Sequence, residues 1–145
     1  MKILFIKEKR SESGIEGISI YLLNVCIELN RLGIEYLVLY NSRDLFYKKM
    51  AENNINVEIV DLPPSSSFNM LHKYFDVLKI RKLIHSIVLR EQITIINVHF
   101  PHLLSYLKTS WGVPIYAHWH GAFVDNKSLE YFDRKNILSP VSLIN

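Results

Sequence analysis

Two histidines and a glycine at the end of a short apolar run are the residues of this chain best suited to chemistry. In the stretch PIYAHWHGAF, residues 114–123, the apolar run ends in His118, His120 and Gly121. Side chains alternate along a strand, so His118 and His120 share one face. Gly121 has no Cβ and lets the backbone approach a ligand closely. An imidazole there could hydrogen-bond a ligand at neutral pH. We favour His120 for that role, whereas His118 fits a structural role equally well.

A glycine loop and a third histidine follow two other predicted strands. Gly14 and Gly17 separate the first strand from a helix, and His99 follows the fourth strand. A helix that begins just after Gly14 would direct free N–H groups and its positive dipole end toward an anion. Either glycine could equally serve only a tight turn.

A dinucleotide site does not fit these residues. Gly14 and Gly17 do not complete the G-x-G-x-x-G pattern, and no P-loop lysine follows them. The second predicted strand ends in Tyr40 and Asn41, where a dinucleotide ribose would need an acidic residue. The sequence therefore argues against binding of NAD.

A metal site and a covalent nucleophile are also disfavoured. The histidines that could approach one cleft are His99, His102, His118 and His120. No carboxylate or cysteine at ligand spacing accompanies them, so we expect no metal. The single cysteine, Cys26, falls in mid-helix, and no G-x-S-x-G motif occurs.

Strands and helices alternate along the chain that positions these residues. The predicted strands are residues 2–6, 35–40, 55–60, 94–98, the stretch within 114–123 and a weaker one at 137–141. The predicted helices are residues 18–32, 44–53, 71–88, 103–111 and 127–135. This alternation predicts an α/β fold, a doubly wound, mostly parallel, Rossmann-like sheet with helices on both faces. In the common strand order, strands one, four and five are neighbours and their loops line one cleft.

The first helix has the clearest pattern. Its apolar stripe consists of Ile18, Leu22, Val25, Leu29 and Leu32. Gly33 is expected to end the helix, because glycine is favoured just after a helix terminus. Cys26 is expected on the inner face.

Composition indicates an ordinary globular domain. A chain of 145 residues with 49% hydrophobic and 21% charged residues fits one domain, residues 1–145. A net charge of +3 without a basic, aromatic stripe gives no support for nucleic acid as a partner. No apolar run approaches the roughly 20 residues that span a bilayer. A lone cysteine is compatible with a reducing compartment, so we expect a cytoplasmic protein.

The charges of the third predicted helix, residues 71–88, leave two interpretations open. Its basic residues and the one just beyond it are Lys73, Lys79, Lys82 and Arg90. They fit a solvated helix face better than a membrane-docking patch, but peripheral contact with the cytoplasmic face of a membrane stays open.

Four segments carry a resemblance to a known family: MKILFI, SGIEGISIYLLNVCIELNRLG, ITIINVHFP and GVPIYAHWHG. In order and spacing they resemble the amino-terminal domain of family 4 retaining glycosyltransferases of the GT-B fold. In that family the first loop is typically Gly-Gly-x-Glu. Gly14 and Glu16 match its second glycine and its acid, while Ser13 stands where the first glycine is usual.

The family's histidine motifs are matched in part. The fourth strand of family members typically ends in His-x-His and the fifth in His-Gly. His99 matches the second histidine of the first motif, with Asn97 in place of the first. His120 and Gly121 match His-Gly.

The resemblance implies transfer of a sugar from a nucleotide-sugar donor to a glycan or lipid-linked acceptor, with retention of the anomeric configuration. It implies substrate-binding roles for Gly14, Glu16, His99, His118 and Gly121, and a catalytic role for His120. No cofactor is expected besides the donor itself. Family members have a second, donor-binding domain that carries a Glu-x7-Glu motif, and we expect this sequence to lack that domain. We therefore expect an amino-terminal half that is inactive unless a second domain completes it in cis or in trans.

Two other classes of protein remain open from the sequence. One is a non-catalytic α/β module that binds a glycan or a protein partner. The other is a flavodoxin-like regulatory domain, which the absence of an acidic cluster at the first strand end disfavours.

Overall fold

The computed structural model describes residues 1–9, 17–62 and 70–118. Five strands form one parallel sheet: β1 (Lys2–Ile6), β2 (Glu35–Tyr40), β3 (Val57–Ile59), β4 (Ile95–Val98) and β5 (Ile115–Ala117). Their spatial order is β3-β2-β1-β4-β5, so the direction of winding reverses between β1 and β4. The expectation that strands one, four and five are neighbours is confirmed. In such sheets, ligands bind beside the reversal, at the carboxyl ends of the strands.

Helices cover both faces of this sheet, as the sequence predicts. They are α1 (Gly17–Arg31), α2 (Leu45–Glu52) and α3 (Met70–Arg90). The predicted helix at 127–135 and the predicted sixth strand at 137–141 lie outside the described residues. Within the described part of the chain, no helix is long and apolar enough to cross a membrane.

Two hydrophobic cores hold the layers together. The core between the sheet and α3 includes Leu4, Ile6, Leu39, Ile84, Ile87, Ile96, Leu103 and Leu104. The core between the sheet and the α1 and α2 pair includes Phe5, Leu22, Cys26, Tyr40, Phe46 and Met50. Burying one such apolar side chain contributes about 1.5–3 kcal/mol. Both faces of the sheet are therefore anchored, which fixes where the strand ends lie.

The predicted stripe of α1 is correct at its centre and wrong at its end. Leu22 and Cys26 are fully buried, but Leu32 is 58% exposed. The helix ends at Arg31, so Leu32 belongs to the turn that leaves it. Gly33 has a φ of 66°, and its N–H donates to Asn30 O while the next N–H donates to Leu29 O. This paired arrangement is a glycine C-cap, which rotates Leu32 off the core face.

The segment predicted as a helix at 103–111 is instead two 3₁₀ helices, Pro101–Tyr106 and Thr109–Trp111. Leu107 and Lys108 between them are extended, with φ of −110° and −133°. The extended break places Leu107 in the core at 2% exposure. Short 3₁₀ turns are common as connectors, and here they carry the chain from β4 to β5.

Candidate functional site

The carboxyl ends of β1, β4 and β5 meet at one edge of the sheet. The strand ladder continues one residue past each of β4 and β5. His99 N–H donates to Ile6 O at 3.2 Å, and His118 N–H donates to Val98 O at 2.8 Å. Main-chain bonds thus fix the two histidines side by side at the sheet edge.

Strand parity turns both histidines toward the α1 face. Val98 and Ala117 pack into the opposite core, beside α3. Because successive side chains alternate, His99 and His118 point the other way. The predicted alternation of side chains along the fifth strand is confirmed up to His118. His120 lies outside the described residues.

One tyrosine of α1 joins the two histidines in a ring cluster, which we define as Tyr21, His99 and His118. The His99 and His118 rings stack with centroids 5.4 Å apart and planes 21° apart. The Tyr21 ring centroid lies 6.2 Å from that of His99 and 5.9 Å from that of His118. Phe5 supports His99 from below at 6.1 Å. The cluster ties the first helix to the ends of β4 and β5.

The three rings of the cluster differ in how much of each is exposed to solvent. His99 is 1% exposed, His118 is half-buried, and Tyr21 is 44% exposed. His99 is therefore a packed residue beneath the surface of the edge. His118 and Tyr21 are the members of the cluster that a ligand could touch.

The His118 imidazole is held in its neutral form at pH 7. Burial lowers its pKa from the ordinary value of 6.5, because desolvation disfavours the charged ring. A neutral imidazole carries one N–H donor and one nitrogen acceptor. At this position it can hydrogen-bond a hydroxyl group in either sense.

Asn97 lies two residues before His99 and therefore on the same face of the sheet. It pairs with Phe5 of β1 and Tyr116 of β5 in the sheet register. Its Oδ1 is buried and has no hydrogen-bond partner in the structure as described. A buried hydrogen-bond acceptor therefore lies next to the ring cluster, one same-face position earlier along β4.

Lys7 follows directly after β1, at the edge of the sheet on the side toward β2. It is 1% exposed, and its Nζ lies 5.2–5.7 Å from the ring centroids of Tyr40, Phe46 and Phe100. The same Nζ donates to Glu8 O at 3.0 Å. Aromatic faces stabilise a cation, increasingly so when it is desolvated. Lys7 therefore fixes where the chain leaves β1.

The structure brings together two of the predicted site residues, His99 and His118. The others, Gly14, Glu16, His120 and Gly121, lie outside the described residues. The functional roles of all six residues stay predictions. Sequence reasoning missed Tyr21 and Lys7. Neither carries a motif, and their positions follow only from contacts between elements distant in sequence.

The described residues contain no group of three or more histidine, cysteine or acidic side chains able to hold a metal ion. Two of the four histidines considered for zinc are only partly or not described, so the expected lack of a metal stays a prediction.

Cys26 is buried on the inner face of α1, as predicted. Burial raises the pKa of its thiol to about 12, which keeps it a protonated, poor nucleophile.

Residues 15–141 match the family model described as Glycosyltransferase Family 4. No curated protein matches the chain in sequence. Among solved structures, a glycosyltransferase from Rickettsia africae is similar, with 23% identity, a TM-score of 0.67, and coverage of 90% of this chain and 33% of that one. Anabaena HepE in complex with UDP and glucose has 17% identity, a TM-score of 0.64, and coverage of 93% and 36%. Acinetobacter baumannii MurG has 14% identity, a TM-score of 0.64, and coverage of 92% and 39%.

These structural similarities confirm the Rossmann-like α/β fold. The chain spans 33%, 36% and 39% of the length of these three proteins.

Proposed function

We propose that this chain, which belongs to glycosyltransferase family 4, is the acceptor-side domain of a retaining glycosyltransferase. The enzyme would move a sugar from a nucleotide-sugar donor to a glycan or lipid-linked acceptor. The observation that carries this proposal is the family match over residues 15–141, which includes every predicted site residue except Gly14.

The geometry of the sheet edge supports the same function. The winding reverses between β1 and β4, and the ring cluster lies at that end of β4 and β5. A nucleotide sugar needs hydrogen bonds to hydroxyls, and His118 supplies a neutral imidazole that can give or accept them. HepE, a protein of similar fold, was solved with UDP and glucose, and we extend that ligand class to this chain.

Each predicted residue takes a role in this proposal. Gly14 and Glu16 would bring the first loop close to the donor phosphates. His120 would hydrogen-bond the transferred sugar, with Gly121 freeing the backbone behind it. His99 supports this edge from within the sheet, and His118 contacts substrate.

We further propose that a second, donor-binding domain completes the enzyme, in cis or in trans. The donor is then a substrate, and no cofactor is needed. We place the protein in the cytoplasm, with peripheral contact at the cytoplasmic face of a membrane if the acceptor is lipid-linked.

Kinetics of His120→Ala in the two-domain protein test the assignment. A hydrogen bond to a charged group contributes about 1.5–3 kcal/mol, so kcat/KM should fall roughly 10- to 150-fold. The urea midpoint should stay near that of the parent protein, since a cleft residue supports little packing. A large loss of stability with near-normal activity per folded molecule would show that His120 is structural. A wild-type protein that binds glycans but never transfers a sugar would instead be a non-catalytic binding module.

A further inference from the structure

The solvent-facing side of α3 combines large apolar side chains with basic ones. The exposed residues between positions 75 and 90 recur at spacings of three and four, so they lie on one side of the helix, and none of them is acidic. We define the outer face of α3 by its apolar residues Phe75, Leu83 and Leu89 and its basic residues Lys79, Lys82 and Arg90. Phe75 is 66% exposed and Leu89 is 65% exposed. From Phe75 to Leu89 the face extends about 20 Å, at about 1.5 Å per residue.

The other two described helices expose cations of a different kind. On α1, Arg31 pairs with Glu28 at 2.7 Å, and on α2, Lys49 pairs with Glu52 at 3.3 Å. Mixed charges of this sort are typical of a helix face that only meets water. The outer face of α3 departs from the pattern that the same chain shows elsewhere.

Two of the three cations on the outer face of α3 have no counter-charge. Arg90 pairs with Glu58 and with Glu91, so its charge is compensated at the end of the helix. Lys79 and Lys82 form no ion pair with any residue of the described part of the chain. The two lysines therefore leave a local positive charge among exposed apolar side chains.

We propose that the outer face of α3 docks the protein on an anionic lipid surface. Lys79 and Lys82 meet the lipid phosphates, while Phe75 and Leu89 enter the boundary between headgroups and acyl chains. Helices that lie in this plane have basic residues on the polar side and Phe or Leu at the buried side. The surface belongs to the α3 side of the sheet, whereas the ring cluster faces α1. Docking thus goes beyond the proposed function, because it does not depend on the chemistry of the acceptor.

Charge favours lipid over a second copy of the chain. The two lysines lie near the middle of the outer face, between Phe75 and Leu89. A symmetric pair of chains places the same patch on both partners, so the lysines of one copy would meet those of the other. Like charges brought together in an interface oppose association. An anionic lipid surface supplies the missing counter-charge and an apolar layer at once.

Co-sedimentation of the 145-residue chain with vesicles tests the proposal. The vesicles are phosphatidylcholine alone, or phosphatidylcholine and phosphatidylglycerol in equal parts. One variant carries Lys79→Gln with Lys82→Gln, and a second carries Leu89→Gln. Circular dichroism in urea reports whether each variant is folded.

The matched controls lie on α2, which packs on the opposite face of the sheet. Lys48→Gln with Lys49→Gln removes the same number of exposed charges, and Leu45→Gln removes an apolar side chain that is 52% exposed. Both controls keep the net charge or apolar content of the corresponding α3 variant. A difference between the two sets therefore reports the place of the substitution.

We expect the parent chain to bind the anionic vesicles and to bind those of phosphatidylcholine alone much more weakly. Loss of one lysine contact should weaken binding about 5-fold, and loss of both about 25-fold. Leu89→Gln should weaken binding about 5-fold. The α2 controls should bind like the parent chain. Raising the salt from about 0.1 M to about 1 M should weaken binding, since the Debye length falls from about 10 Å to about 3 Å.

Three results would overturn the docking surface: no binding to the anionic vesicles, equal binding to both kinds of vesicle, or equal weakening by the α2 and α3 variants. A chain that sediments as a dimer dissociated by Leu89→Gln, without binding vesicles, would show that a second copy covers this face and would also refute lipid docking. Failure of the proposed function gives a different pattern. In that case vesicle binding persists and still depends on α3, while the two-domain protein transfers no sugar.

Discussion

Replacing His99 by alanine should lower the free energy of unfolding substantially, because this residue of the candidate site is packed as tightly as a core residue. The side chain is 1% exposed and contacts three rings, those of Phe5, Tyr21 and His118, at 6.1, 6.2 and 5.4 Å. Each such contact contributes about 0.5–1.5 kcal/mol, and truncation of a buried ring also leaves a cavity. We expect His99→Ala to lower the free energy of unfolding by about 2–4 kcal/mol.

Urea denaturation followed by circular dichroism measures this loss. With a dependence on urea of about 2 kcal/mol per molar, the middle of the usual range, the midpoint should fall by about 1–2 M. The control is His85→Ala, because the half-buried His85 stacks on a single ring, Trp111, at 4.9 Å. It should lose only about 1 kcal/mol. A His99→Ala chain with the parent midpoint, or one no less stable than His85→Ala, would refute the packing argument.

Two further predictions concern titration and reactivity. The unfolded chain protonates His118 near 6.5 whereas the folded chain does so only at lower pH, since burial lowers this pKa. The urea midpoint should therefore fall as the pH drops below 6.5. The contribution of His118 to this fall should be absent in the His118→Gln variant. If the two proteins show the same dependence of the midpoint on pH, the burial of the His118 ring is contradicted. Cys26, whose pKa is raised to about 12, should resist iodoacetamide at pH 8 in the folded chain and react in urea; fast labelling without denaturant would show that the thiol is accessible.

The strands of the sheet were predictable because apolar runs and their spacing along the chain indicate them. Five of the six predicted strands fall where β1 to β5 lie, and the neighbourhood of β1, β4 and β5 follows from the winding rule. Parity along β5 also predicted correctly that His118 faces away from Ala117. These are local or topological properties, which a sequence pattern can express.

Boundaries and irregular turns were less predictable. The helix expected at 103–111 breaks at Leu107, which has an extended backbone and a side chain that is buried in the core at 2% exposure. Leu32 continues the periodic stripe in sequence, but the helix ends one residue earlier. The spacing of apolar residues does not report the tertiary packing that determines where these two helical segments end.

The candidate site was predictable only in part. His99 and His118 could be placed at strand ends because strands carry them there. Tyr21 shows no signal in sequence, since its role depends on contacts with residues 78 and 97 positions away. Lys7 opens a charged run, KEKR, which predicts a polar loop. Its burial depends on rings from Tyr40, Phe46 and Phe100, which are distant in the chain.

Sugar transfer measured with and without a second domain tests the central claim most directly. A panel of radiolabelled nucleotide sugars and glycan or lipid-linked acceptors is incubated with the 145-residue chain alone and with the chain joined to a donor-binding domain. We predict no turnover above background for the chain alone. The joined protein should transfer a sugar and give a product with the anomeric configuration of the donor. Robust turnover by the 145-residue chain alone, or an inverted product from the joined protein, would contradict the assignment.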